Sequence, residues 1–142
     1  LLRVRQRYPV AIAQVPGNAL DQRLRHVDLS AGPAMELHLR SAFLQGLLLM
    51  PLQAGQARVP AAANALTRWH EWVRLQEQPA LQAALGVVKG LPGVSHCVVG
   101  VDRLAQLEAI VHAWALATPL QAPQLGETEL DAIDPRRWAT TS

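Results

Sequence analysis

Three stretches of this chain place groups with binding chemistry directly after runs of apolar residues. Gln14 interrupts the apolar run Val10 to Val15, just before the turn signal Pro16-Gly17-Asn18. Its amide offers a donor and an acceptor to a ligand, or it simply closes a strand while Asn18 shapes the turn. Arg40 and Ser41 end a second run; a short hydroxyl and backbone N–H groups at a strand's carboxyl end suit a phosphate. The planar Arg40 guanidinium can stack on a ring or pair with a carboxylate on the surface. Gly100 follows a third run, Val94 to Val99, where a glycine permits close backbone approach and a helix start behind it favours an anion. One such glycine carries little weight alone.

Other chemistries find no support in the residue spacing. His26, His38, His70, His96 and His112 form no i, i+4 pair, so no metal site is expected. Cys97 is the single cysteine; with Val98 and Val99 beside it, it reads as a small buried hydrophobe in a reducing compartment. A hydrolase or transferase reading has no nucleophile elbow or phosphate loop behind it. Twelve of the thirteen positive residues are arginines, the net charge is only +2, and the cluster Arg3, Arg5, Arg7 lacks interleaved aromatics, which argues against nucleic-acid binding. Trp69, Trp72, Trp114 and Trp138 read as packing residues.

The elements that must position these groups alternate between strand and helix. Half of the 142 residues are hydrophobic and 17% are charged, enough apolar surface for a folded core. Residues 1 to 7 read as the end of a helix, and Val10 to Val15 as the first strand. Asp21 to Asp28 is weakly helical or irregular, and Ser30 to Pro33 is a loop. Glu36 to Phe43 is the second strand, with Leu37, Leu39 and Ser41 on one face and His38, Arg40 and Ala42 on the other.

Gln53 to Ala63 reads as a loop, and Ala65 to Gln78 as a helix with Leu66, Trp69 and Val73 on one side. Pro79 suits the first position of a further helix whose stripe is Leu81, Ala84, Leu85 and Val88. Val94 to Val99 is expected to be a parallel strand covered on both faces. Asp102 then caps a helix that buries Leu104, Leu107, Val111 and Trp114 and ends before Pro119. Beyond it lies a polar tail, 119 to 142, with a short helical turn within Glu127 to Ile133. Strand then helix, three times, implies α/β architecture with a parallel sheet.

In order, the three polar segments resemble the last strands of the aldo/keto reductases. Gln14-Val15-Pro16-Gly17-Asn18 with Leu20-Asp21-Gln22-Arg23 resembles that family's sixth-strand segment, and Leu39-Arg40-Ser41-Ala42-Phe43-Leu44-Gln45-Gly46-Leu47-Leu48 its seventh. Val98-Val99-Gly100-Val101-Asp102-Arg103-Leu104-Ala105-Gln106-Leu107 is similar to the eighth-strand loop and helix, and Ile133-Asp134-Pro135-Arg136-Arg137-Trp138 to a tail of one bacterial branch. The resemblance covers nearly the whole chain and implies the C-terminal half of a (β/α)8 barrel, about the last three βα units. The stretch between Arg23 and Glu36 is shorter than the helix the family has there.

By that resemblance the chain is a cofactor-binding fragment of an NADP-dependent carbonyl reductase, with NAD also possible. Gln14 would lie beside the nicotinamide carboxamide, and Arg40 stands where many members carry a stacking aromatic. Ser41, Phe43 and Gln45 would border the pyrophosphate. Gly100, Val101, Asp102, Arg103 and Gln106 would grip the adenosine 2′-phosphate, with Arg103 the nearby cation. Ala109 and Ile110 replace the Glu and Asn that many members set against the adenine.

The family's Tyr acid, with its Lys, Asp and His, lies in the barrel's first half. Tyr8 and Lys89, the only tyrosine and lysine here, follow no strand in the required positions, so no catalytic residue is expected in this chain and the isolated chain is expected to be inactive. The alternative is a non-catalytic, degenerate half-barrel that serves as an interaction module. The chain opens on Leu1-Leu2 without Met, so a preceding segment is expected, and a cytoplasmic protein with no membrane or nucleic-acid partner follows from the lack of an apolar span or signal core. An open half-barrel is also expected to self-associate.

Overall fold

The computed structural model describes residues 2–28, 35–122, 125 and 130–138. Helix α1 (Leu2–Arg5) leads to strand β1 (Ile12–Pro16), and β2 (Glu36–Arg40) and β3 (Val94–Cys97) complete a parallel sheet in the order β1-β2-β3. Helix α2 (Leu52–Arg58), α3 (Ala63–Leu75) and α4 (Ala80–Lys89) lie between β2 and β3, and α5 (Leu104–Leu116) and α6 (Leu130–Ile133) follow. Parallel strands need long crossovers, and the segment from α2 to α4 provides the second one. The expected loop Ser30 to Pro33 lies outside the described residues.

One sheet face is dry. Ala13, Leu37 and Leu39 pack with Val88 of α4, Leu91 and Leu24, as strand alternation requires. A larger core joins Leu20, Leu44, Leu47 and Leu48 to Leu66 and Trp69 of α3 and to Ala132 and Ile133 of the tail. Trp69 is fully buried and its indole Nε1 donates to the Leu48 carbonyl at 3.0 Å, so its one polar group is satisfied inside the core.

Helix α4 is buried from Ala83 to Val88, well beyond the single stripe expected of it. Its glycines explain how: a Cβ on Gly86 would sit 2.8 Å from the Thr118 carbonyl oxygen, and one on Gly90 would overlap the backbone of Leu120. The chain after α5 crosses α4 at these two bare positions, and Leu120 N donates to Gly86 O at 2.9 Å.

Several expectations need correction. Gln53 to Ala63 is α2 plus a 3-10 turn at Pro60–Ala62, because its Ala and Gln residues favour helix and the first proline arrives only at Pro60. Strand β2 stops at Arg40, since Ser41 takes φ 64 and cannot continue a strand. Pro79 is the residue before α4 and not its first member, and Arg103, in extended geometry, is the N-cap of α5 in place of Asp102.

Of the buried stripe expected on α5, Trp114 packs against the core but Leu104, Leu107 and Val111 do not. Leu104 is 70% exposed and Val111 59%, while the helix rests on α4 through Ala113 and Ala117, small residues that seat against Leu85. Nor is β3 covered on both faces, for Ser95 and His96 are exposed. Among the described residues, nothing packs on that side of the sheet near β3 or on the outer side of α5.

Candidate functional site

A cleft of about 680 Å³, well within the size range of small-molecule sites, opens at the carboxyl ends of the three strands. Gln14 enters it from β1 and Arg40 from the last position of β2. Ser41, Phe43 and Gln45 border it from the loop after β2, and Gly100, Asp102 and Gln106 from the loop and helix after β3. These eight expected residues therefore share one cavity although they lie between positions 14 and 106 of the sequence. Val101 and Arg103 do not line it: Val101 is exposed beside the cleft, and Arg103 begins α5 on the surface.

The loop after β2 has unusual backbone. Ser41, Leu44 and Gln45 take φ of 64, 47 and 54, and Gly46 follows at φ 79. Left-handed conformations at non-glycine residues cost free energy and gather where surrounding structure enforces them. The enforcing group is Asn18, which is buried; its Nδ2 donates to the Ser41 carbonyl at 3.1 Å, while its Oδ1 accepts from Leu20 N and Asp21 N. Leu44 N and Leu47 N close tight turns onto Ser41 O and Leu44 O. The N–H groups of Ala42, Phe43, Gln45 and Gly46 have no backbone partner among the described residues. Successive N–H groups in such alternating backbone form a concavity suited to an anion.

Charge and shape agree with that use. Arg40 is the cation in the cleft, and its Nη1 reaches Ser41 Oγ at 3.3 Å, holding guanidinium and hydroxyl together. A Cβ on Gly100 would meet nothing within 4 Å, so the backbone there faces open space. Gln106 is committed to α5, where its Oε1 accepts from Asp102 N at 2.9 Å and Arg103 N at 3.2 Å. Ala109 and Ile110 supply an apolar wall.

A solved structure shares this fold. An aldo-keto reductase from Bacillus halodurans, AKR11C1 in its holo form, superposes with a TM-score of 0.63 at 18% identity. The match covers 96% of this chain and 49% of that one, so the chain spans about half the length of the reductase. At that identity the likeness is one of fold: an α/β chain with a small parallel sheet, consistent with part of a barrel. No protein-family model and no curated protein sequence matches.

The remaining candidate residues take structural roles. Lys89 Nζ donates to the carbonyls of Trp114 and Ala117 at 2.7 and 2.8 Å, capping the end of α5. Tyr8 is 57% exposed and lies outside the cleft. Cys97 packs beside Leu85 and Trp114 on the dry side of the sheet, and burial pushes its thiol from 9.0 up to about 11, which keeps it protonated and unreactive near neutrality. No helix among the described residues is long and apolar enough to cross a membrane.

Reading along the chain also missed a convergence. Glu36, His38 and His96 come together on the open face of the sheet, outside the cleft lining although His38 is the register partner of Gln14. The alternation Glu36-x-His38 was visible as a shared strand face, but the partnership with His96 depends on how β3 pairs with β2.

Proposed function

We propose that this chain is the cofactor-holding half of an aldo/keto reductase-type oxidoreductase, which binds NADP(H), or NAD(H), for carbonyl reduction. The observation that carries the reading is the meeting of Gln14, Arg40, Ser41 and Gly100 in one cleft at the strand ends. The left-handed loop from Ser41 to Gly46 fits a pyrophosphate, because the N–H groups of Ala42, Phe43, Gln45 and Gly46 lack backbone partners among the described residues and the Arg40 guanidinium lines the same cleft. Gln14 would face the nicotinamide amide, and the Ala109–Ile110 wall would face an adenine ring.

The bound nicotinamide would supply hydride chemistry. This chain's residues hold and orient it; no general acid is assigned to them. Phe43, Gln45, Asp102 and Gln106 border the cleft, while Val101 and Arg103 lie outside its lining. With Arg103 outside the lining, NADP and NAD are expected to bind with similar affinity. Fluorescence titration of the chain with NADPH and NADH tests the proposal. Saturable binding that weakens on Arg40→Ala supports it, and the absence of binding to either nucleotide overturns it.

The open side of α5 favours a second reading, a non-catalytic half-barrel that serves as an interaction module. Leu104, Leu107 and Val111 present an apolar stripe with no partner among the described residues. Specific nucleotide binding would count against this reading.

A further inference from the structure

We propose that Glu36, His38 and His96, none of which lines the cleft, form a binding site for a divalent transition-metal ion, a proposal that does not rest on the cofactor reading. One carboxylate oxygen of Glu36 and one ring nitrogen from each histidine lie within 4.8 Å of one another. Glu36 Oε2 is 3.3 Å from His38 Nε2 and 3.8 Å from His96 Nδ1, and the two imidazole centroids are 4.4 Å apart. A tetrahedral ion with metal–nitrogen and metal–oxygen bonds of about 2.0–2.1 Å holds its ligand atoms about 3.3 Å apart, so Glu36 and His38 already stand at that spacing and the histidine rings must close by up to about 1.5 Å around an ion.

The backbone builds this arrangement. Glu36 and His38 are two apart on β2 and share its open face. On β3 the register shifts: Val94 pairs with Leu37, yet His96 pairs with His38. The extra residue is Ser95, whose Oγ lies 3.1 Å from the Leu37 carbonyl and 3.0 Å from His96 Nδ1. Without that irregularity, Ser95 would oppose His38 and His96 would oppose Leu39 in the core. The bulge turns His96 outward beside His38 and sends Cys97 inward, and bulges recur where a strand must re-aim a side chain.

Two imidazoles and one carboxylate suit zinc, iron, nickel or copper far better than magnesium or calcium. All three ligands approach from the sheet side, leaving the outer side of an ion open to water, as in sites that keep an exchangeable position. Ser95 Oγ lies 3.0 Å from His96 Nδ1, the nitrogen that faces Glu36, so an ion bound there displaces that hydrogen bond while the hydroxyl keeps its bond to the Leu37 carbonyl.

Titration of the chain with zinc by calorimetry, and with cobalt(II) by visible absorption, tests the proposal. The expected result is one equivalent bound, with cobalt d–d bands and no thiolate charge-transfer band, since Cys97 faces the core. His38→Ala, His96→Ala and Glu36→Gln should each weaken binding about tenfold or more. All three side chains lie on the open face, and circular dichroism confirms that each variant keeps its fold. His112→Ala should leave the affinity unchanged. Binding as tight in the His38→Ala/His96→Ala double variant as in the parent, or no binding by the parent, overturns the site.

Discussion

Asn18 donates from its amide nitrogen to the carbonyl oxygen of Ser41 at 3.1 Å, joining the turn after β1 to the left-handed residue that ends β2. That bond lets two loops from different strands act as one wall of the cleft. Replacing Asn18 by Ala removes this donor and the acceptor shared by Leu20 N and Asp21 N in a buried setting. The expected loss is about 1–3 kcal/mol, read by urea denaturation. Asn18→Asp sets a buried carboxylate against the Ser41 carbonyl oxygen and near Asp21, and should cost at least as much as the alanine change.

Gly100 separates binding from folding. Its missing side chain faces open space, so Gly100→Val should leave the melting temperature within a degree or two of the parent. The same change narrows the cleft and should weaken NADPH binding in fluorescence titration. An unchanged dissociation constant would remove Gly100 from the proposed cofactor site.

The chain alone should reduce no carbonyl compound. A positioned general acid is commonly worth about 10²–10⁴ in rate, and neither Tyr8 nor Lys89 stands in the cleft. Steady-state NADPH oxidation by the purified chain, lost on Tyr8→Phe, would show that proton donation had been misplaced.

Cys97 sets a basic limit. Its thiol is held protonated to about 11 in the folded chain against 9.0 for an ordinary cysteine. The folded state therefore keeps a proton that the unfolded state releases, and stability should fall as pH rises from about 9 to about 11. Cys97→Ser should flatten that slope in denaturation curves taken across this range. The parent should also react slowly with a disulfide reagent at pH 7.5 until it is unfolded.

Self-association should run through the apolar surfaces left open. Both β1 and β3 are terminal strands of the sheet, and Leu104, Leu107 and Val111 are exposed on α5. Light scattering should find dimers or larger species, and the double change Leu107→Glu/Val111→Glu should shift the population towards monomer. A cooperatively melting monomer at high concentration in the parent would contradict this expectation.

The sequence by itself determined the three strands and the helices α3, α4 and α5 in order, because apolar runs punctuated by Pro and Gly are local signals, whereas α2 was read as a loop. It also placed Gln14, Ser41 and Gly100 at strand ends, where parallel topology must gather them. Tertiary structure decided what depends on neighbours. The α5 stripe looked like a buried face by period alone, yet burial needs a partner surface, and the described chain provides one for Ile110, Ala113, Trp114 and Ala117 but not for Leu104, Leu107 or Val111. The bulge at Ser95 is likewise invisible in strand alternation, since it arises from how β3 pairs with β2. A shift of one residue exchanges the two faces of a strand, so that single irregularity put His96 beside His38 and Cys97 in the core.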